Sequence, residues 1–223
     1  MRRFADTLWS PTGSRPHIEV PASPQVAGLA AAYVAQSRAW WDEQNDERDF
    51  DEVFEVVNTP FLHMTVAWLD MLSTSLSPGQ FDTLHDTLAR RLAALAPFEV
   101  RVGPATVGLY AVELYIVPNT QANELAGHAR AALREVFGET AAPEPRPVRP
   151  WRAHVTAMYG RQRVDTDALA SRLAYTTSPE GQGLLAPVTM TVDHVLLVDQ
   201  DTWGPDGLAW NQHTARTVAL GRR

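Results

Sequence analysis

Histidine and threonine stand two residues apart twice in this chain, His63 with Thr65 in "LHMTV" and His154 with Thr156 in "AHVTA". An imidazole titrates near neutrality, so it can take a proton or give one. A threonine hydroxyl can donate to an oxygen on which negative charge collects. Both stretches read as strands, in which residues i and i+2 share a face. Alternation puts Leu62, Met64, Val66 and Trp68 on one face, and His63 and Thr65 on the other beside Phe61, Ala67 and Leu69. In the second copy Trp151, Ala153, Val155, Ala157 and Tyr159 oppose Arg152, His154, Thr156 and Met158. Each copy also has an aromatic residue five positions after the histidine, Trp68 and Tyr159. A single such pair reads as a core histidine with its hydrogen bonds satisfied. Recurrence after about ninety residues, half a small domain, favours a shared chemical task.

The elements that must hold these residues are mixed. "PHIEVPA" (16–22) is a short first strand, and Ser23 then caps a helix with Pro24 at its first position. "DEQNDERD" (42–49) is an acidic surface loop, and "FDEVFEVV" fits either a strand or a turn of helix. The first His-x-Thr strand follows. Phe81, Leu84, Leu88, Leu92 and Leu95 then recur at helical spacing. "FEVRVGPATVGLYAVELYIVP" predicts two strands divided near Gly103-Pro104. A second long helix ends near Gly138, and proline-rich 139–150 is the candidate linker into the second motif. "DTDALASRLAYTT" predicts a shorter helix. "APVTMTVDHVLLVDQD" and "LAWNQHTARTVAL" predict strands joined by a turn at "TWGPDG". Successive strands among helices favour α+β with antiparallel sheets over a doubly wound parallel sheet. The halves are loosely similar, each a His-x-Thr strand, a helix and two strands.

Composition narrows the chemistry. The 223 residues are 45% hydrophobic, enough for one sizeable core or two lobes sharing one. Cysteine is absent, which removes disulfides, thiol nucleophiles and cysteine metal sites. All 19 basic residues are arginine, so no Walker lysine or Schiff base is possible. A net charge of −7 argues against duplex DNA or any long phosphate track, but one phosphodiester remains compatible. No apolar run is long enough for a membrane span, and the first residues lack the apolar core of a signal peptide. A cytoplasmic protein is expected.

"LHMTVAW" and "AHVTAMYG" fit an H-x-[ST]-x-hydrophobic signature, and with it the chain resembles the two-histidine phosphoesterase superfamily. "PHIEVPASPQVAGLAAAY" is similar to that family's opening strand and helix, and "VDHVLLVDQD…LAWNQHTARTVAL" to its closing hairpin. The likeness covers most of the chain and points to the bacterial 2'-5' RNA ligase-like and cyclic phosphodiesterase branch. Ala153 stands where many members have proline. The resemblance implies an α+β fold of two pseudo-symmetric lobes, each an antiparallel sheet with outer helices, in a single bilobal domain over 1–223. The active-site cleft would lie between the lobes, with the two histidines meeting across it.

It also implies His63 and His154 as an acid/base pair for in-line displacement at phosphorus, with Thr65 and Thr156 holding the phosphate. Which histidine is the base stays open. Along a strand the threonine lies roughly 6.5–7 Å from its histidine, within reach of one phosphate. Arg152 shares the His154 face and could balance phosphate charge. Neither a cofactor nor a metal is expected. The substrate would be a small nucleotide or an RNA end carrying a phosphodiester, such as a 2',3'-cyclic phosphate, with 2'-5' ligation as the reverse reaction. A monomer is expected.

Two other readings compete. One is a nucleotide- or RNA-binding module that kept the pocket without turnover. The other is a metal-dependent HD-type phosphohydrolase built on His85-Asp86, for which no further ligand set is evident. Tyr115 and Trp151 could stack on a base, but aromatic strand residues are more often core. His17, His128, His194 and His213 lack a threonine partner and read as structural or surface residues.

Overall fold

A computed structural model describes residues 1–4, 13–44, 46–142, 151–176, 185–204 and 207–221. In chain order the strands are β1 (Arg15–Pro21), β2 (Phe54–Val56), β3 (His63–Trp68), β4 (Phe98–Val107), β5 (Ala111–Val117), β6 (His154–Gly160), β7 (Val188–Val192), β8 (His194–Gly204), β9 (Gly207–Trp210) and β10 (Arg216–Ala219). The helices are α1 (Pro24–Glu43), α2 (Phe50–Val53), α3 (Gln80–Leu92), α4 (Thr120–Phe137) and α5 (Asp167–Thr176). The strands form a curled antiparallel sheet in the order β10-β8-β1-β3-β6-β5-β4-β7, with β2 added to β6 and β9 to β8.

The sheet divides into two lobes at the β3–β6 seam. One lobe reads outward as β3-β1-β8-β10 and the other as β6-β5-β4-β7, so each motif strand is the innermost of four. Helices α3 and α4 pack together on the first lobe, and α1 and α5 on the second. The lobes exchange chain. β4 and β5 follow the first motif in sequence but pair beside the second, while β8 and β10 follow the second and lie beside the first. Asp193, between β7 and β8, is where the chain crosses, so "APVTMTVDHVLLVDQD" is two strands in two lobes.

Local chemistry explains most of the helices. Ser23 Oγ accepts from the Val26 amide at 3.3 Å and Pro24 opens α1. In α3 the i, i+4 series Leu84, Leu88 and Leu92 is fully buried, each side chain contributing about 1.5–3 kcal/mol. α4 buries Ala122, Ala126, Ala129 and Ala132 with Leu125 and Leu133, and ends at Gly138 with φ +96°. The ambiguous 50–57 segment is one turn of helix, α2, running directly into β2.

Two expectations need correction or limits. The break foreseen at Gly103-Pro104 is a bulge inside the continuous strand β4, where Val102 and Ala105 face Ile116 and Leu114. A proline is tolerated there because a bulge leaves its residues outside the ladder. The hairpin turns instead at 108–110, closed by the Gly108 amide donating to Ala111 O at 2.7 Å. Of the proline-rich stretch 139–150, residues 143–150 lie outside the described residues. Ala141 and Ala142 are buried, and Ala141 O accepts from the Asp70 amide. Among the described residues no helix is long and apolar enough to cross a membrane.

Candidate active site

The two motif strands meet at one ladder pair, Met64 opposite Val155. In an antiparallel ladder the neighbouring positions on either side of that pair are His63 with Thr156 and Thr65 with His154, all pointing to the opposite face from Met64 and Val155. The four residues predicted from sequence therefore cluster about a local two-fold. They line one cavity of about 230 Å³.

Each histidine is held the same way. His63 Nδ1–H donates to Phe61 O at 2.7 Å, and His154 Nδ1–H donates to Arg152 O at 2.8 Å. A carbonyl can only accept, so Nδ1 carries the hydrogen in both rings and Nε2 is the nitrogen that gains or loses a proton. The Thr65 hydroxyl lies 3.0 Å from His63 Nε2. Trp210 packs edge-on against the His63 ring, centroids 5.5 Å apart. Arg152 contributes its carbonyl; its side chain is exposed and lies outside the cavity lining.

The environments of the two rings differ. The His63 side chain is 7% exposed and the His154 side chain 34%. Burial pulls His63 down to about 4, with the nearby His17 and His154 adding to the shift and the Phe61 carbonyl opposing it. His63 is thus neutral in the free protein at neutral pH.

Strand alternation misplaced the two aromatic residues. On β1, Ile18 pairs with Ala67 and the next residue, Glu19, with Thr65, so β3 carries one extra residue, Val66. On β5, Val112 pairs with Met158 and Glu113 with Thr156, so β6 carries the extra residue Ala157. Each bulge resets the alternation by one. Trp68 and Tyr159, expected on the far faces, thereby join the histidine and threonine faces and line the cavity. Phe4 stacks on Tyr159 with centroids 4.3 Å apart, and Tyr159 shares a hydrogen bond with the Thr156 hydroxyl. Trp151 also lines the cavity, whereas Tyr115 does not.

Two glutamates occupy matching positions that sequence reasoning passed over. Glu19 faces Thr65 across β1–β3, and Glu113 faces Thr156 across β5–β6. Glu19 Oε1 lies 3.4 Å from His63 Nε2, and Glu113 Oε1 3.9 Å from His154 Nε2. Glu113 is partly exposed, but Glu19 is sealed and burial raises its carboxyl well above the ordinary range. His17, two residues before Glu19, also lines the cavity, and burial holds it down to about 4. The only advance signal was the register of neighbouring strands, which one strand's pattern does not contain. Among the described residues no arginine lines the cavity, and the cationic groups that do are the imidazoles of His17, His63 and His154.

His85 and Asp86 sit side by side on α3, Nδ1 to Oδ1 3.1 Å, away from this cavity. Among the described residues no three His, Cys, Asp or Glu side chains converge as a metal site would require.

Residues 30–203 match the family model of the 2'-5' RNA ligase superfamily. The chain belongs to that superfamily, and so is a phosphoesterase of the two-histidine class. TT0787 of Thermus thermophilus shares the fold at 20% identity and TM-score 0.62, over 93% of this chain and 98% of its own. E. coli LigT complexed with NADP+ shares it at 16% identity and TM-score 0.58, over 94% and 99%. LigT complexed with 3'-AMP does so at 12% identity and TM-score 0.56, again over 94% and 99%. No curated protein sequence matches.

Proposed function

We propose that the chain is a metal-independent phosphoesterase that hydrolyses 2',3'-cyclic phosphates, or related 2'-linked phosphodiesters, of RNA or nucleotides, with His63 and His154 as its acid/base pair. One observation carries the reading: both rings are pinned through Nδ1 to the carbonyl two residues back, which leaves both Nε2 atoms to serve one cavity. In-line displacement needs a base for the attacking oxygen and an acid for the leaving oxygen, and the two imidazoles fill those roles in opposite protonation states. The hydroxyls of Thr65 and Thr156 hydrogen-bond the non-bridging oxygens, where charge builds up.

Among the described residues the cavity carries imidazoles and no guanidinium group, which suits the single charge of a phosphodiester. Trp68, Tyr159 and Trp151 offer flat faces for a base or sugar. LigT, which has this fold, has been crystallised with NADP+ and with 3'-AMP, which supports a nucleotide-sized ligand here. The test is a panel of 2',3'-cyclic mononucleotides, 2'-5' dinucleotides and RNA ends bearing cyclic phosphate, assayed with and without EDTA. Turnover of at least one class, undiminished by chelator, is expected. Activity that vanishes in EDTA and returns with a divalent ion would overturn the mechanism, because a metal-bound water would then be the nucleophile.

A further inference from the structure

Glu19 is a buried acid that the mechanism leaves unused. It is fully buried on β1, and neither carboxyl oxygen has a hydrogen-bond partner among the described residues. An ionised carboxylate without donors in such a place is heavily penalised, whereas a neutral carboxylic acid is tolerated. Its nearest ionisable neighbour is His63 Nε2, 3.4 Å from Oε1. That nitrogen is an acceptor in the free protein, because Nδ1 carries the ring's hydrogen. A buried acid and a buried base thus stand in contact, the base facing the cavity and the acid behind it.

We propose that Glu19 is a positioning residue that stores a proton behind His63 and passes it to Nε2 when a phosphodiester anion enters the cavity. This rests on the phosphoesterase reading above and assigns His63 the acid role within it. The step balances. The Glu19 O–H bond breaks and a His63 Nε2–H bond forms, leaving carboxylate and imidazolium. The substrate's negative charge lies nearer His63 than Glu19, so it favours the proton on the ring, and the transfer leaves the net charge of the pair unchanged. The imidazolium then gives that proton to the leaving ribose oxygen as the P–O bond breaks. His154 takes a proton from the attacking water, whose oxygen forms the new P–O bond. Afterwards His154 releases its proton to solvent and the Glu19–His63 pair takes one up.

Without such a store, a histidine held near 4 would seldom carry the proton that a leaving alkoxide needs. Among the described residues, Glu19 meets His63 on β3 and acts on Tyr159 on β6, and the other titratable groups of the cavity are His17 on its own strand, His154 on β6 and Glu113 on β5. β8, its other neighbour, places Leu196 opposite it.

The experiment compares wild type, Glu19→Gln and Glu19→Asp on a 2',3'-cyclic nucleotide and on a nucleoside 4-nitrophenyl phosphodiester, from pH 5 to 8. Glutamine keeps the volume but has no proton to transfer. Its kcat on the cyclic substrate should fall roughly ten- to a hundredfold at pH 7, with KM little changed. The deficit should shrink toward pH 5, where solvent protonates His63 directly. It should also largely close on the nitrophenyl ester, whose leaving group needs no proton. Aspartate should recover part of the loss.

A Glu19→Gln enzyme with the wild-type rate and pH profile would overturn the proposal. So would a loss equal on both substrates at every pH, which marks a packing role. Wild type inactive on every substrate would count against the phosphoesterase reading itself. Infrared spectroscopy needs neither turnover nor a folded variant: wild type should show a protonated carboxyl band that is lost on adding 3'-AMP. A band that persists with 3'-AMP bound, or was never there, refutes the transfer.

Discussion

Glu19→Gln also has a consequence for stability that runs opposite to its cost in activity. In the unfolded chain Glu19 ionises near its ordinary 4.5, while in the fold burial keeps it protonated to much higher pH. Above 4.5 the folded state therefore binds a proton that the unfolded state has released, and the contribution of Glu19 to stability falls as pH rises. The slope approaches about 1.4 kcal/mol per pH unit for one such group. From pH 5 upward the difference accumulates for as long as the folded carboxyl holds its proton. Glutamine has no titration in this range. His17 and His63 act with the other sign: held to about 4 by burial, they favour the fold fully above pH 6.5 and lose that contribution as pH falls toward 4. That term is common to both proteins and cancels in the comparison. The assay is urea unfolding of wild type and Glu19→Gln at half-unit steps from pH 5 to 7. The gap in unfolding free energy should move steadily in favour of glutamine as pH rises from 5, whatever constant offset the buried amide adds. Parallel curves would refute the claim that Glu19 is a buried neutral acid.

His63→Ala and His154→Ala should each reduce turnover at least about a hundredfold, and the double variant by far less than the product, because the pair acts as a unit; near-normal turnover in either folded single variant rejects the assignment. Thr65→Val and Thr156→Val should cost roughly ten- to a thousandfold and Thr→Ser much less, which steady-state kinetics will separate from a packing role that serine and valine would disturb alike. Trp68→Ala should raise KM for a nucleotide by about 5- to 150-fold if the ring stacks on a base, with little change for a phosphodiester that has no base. Leu88→Ala, far from the cavity in the α3 core, should destabilise by about 2–5 kcal/mol in denaturant unfolding and leave kcat unchanged.

The core-facing leucines of α3 and the capped start of α1 were legible because helix periodicity and capping depend on residues within a few positions of each other. The interruption at Gly103-Pro104 reads from sequence as a division between two strands for a related reason. Glycine and proline mark a break in regular geometry, but whether the chain reverses or merely bulges depends on the partner strand. Here β5 and β7 flank β4 on both sides and keep it extended through the irregularity. The linkage of the halves was likewise hidden. Similar order along the chain suggested a loose pseudo-repeat, yet each lobe draws strands from both halves, a choice made by long-range pairing.

By itself the sequence determined the chemical inventory: two His-x-Thr pairs, no cysteine, no lysine, and few ways to handle a phosphate except imidazole, hydroxyl and arginine. It also determined that each histidine shares a face with its threonine, since a strand's period of two is a local property. Tertiary structure decided what surrounds those pairs. Bulges at Val66 and Ala157 exist only relative to β1 and β5, and they turn Trp68 and Tyr159 into the cavity. Cross-strand register set Glu19 and Glu113 against the threonines. Burial, which depends on everything packed above a site, sealed Glu19 and His63 while leaving Glu113 and His154 partly open. Two nearly identical motifs thus became chemically different, because a proton's affinity for its site is set by the surrounding dielectric and charges, and these come from residues distant in the chain.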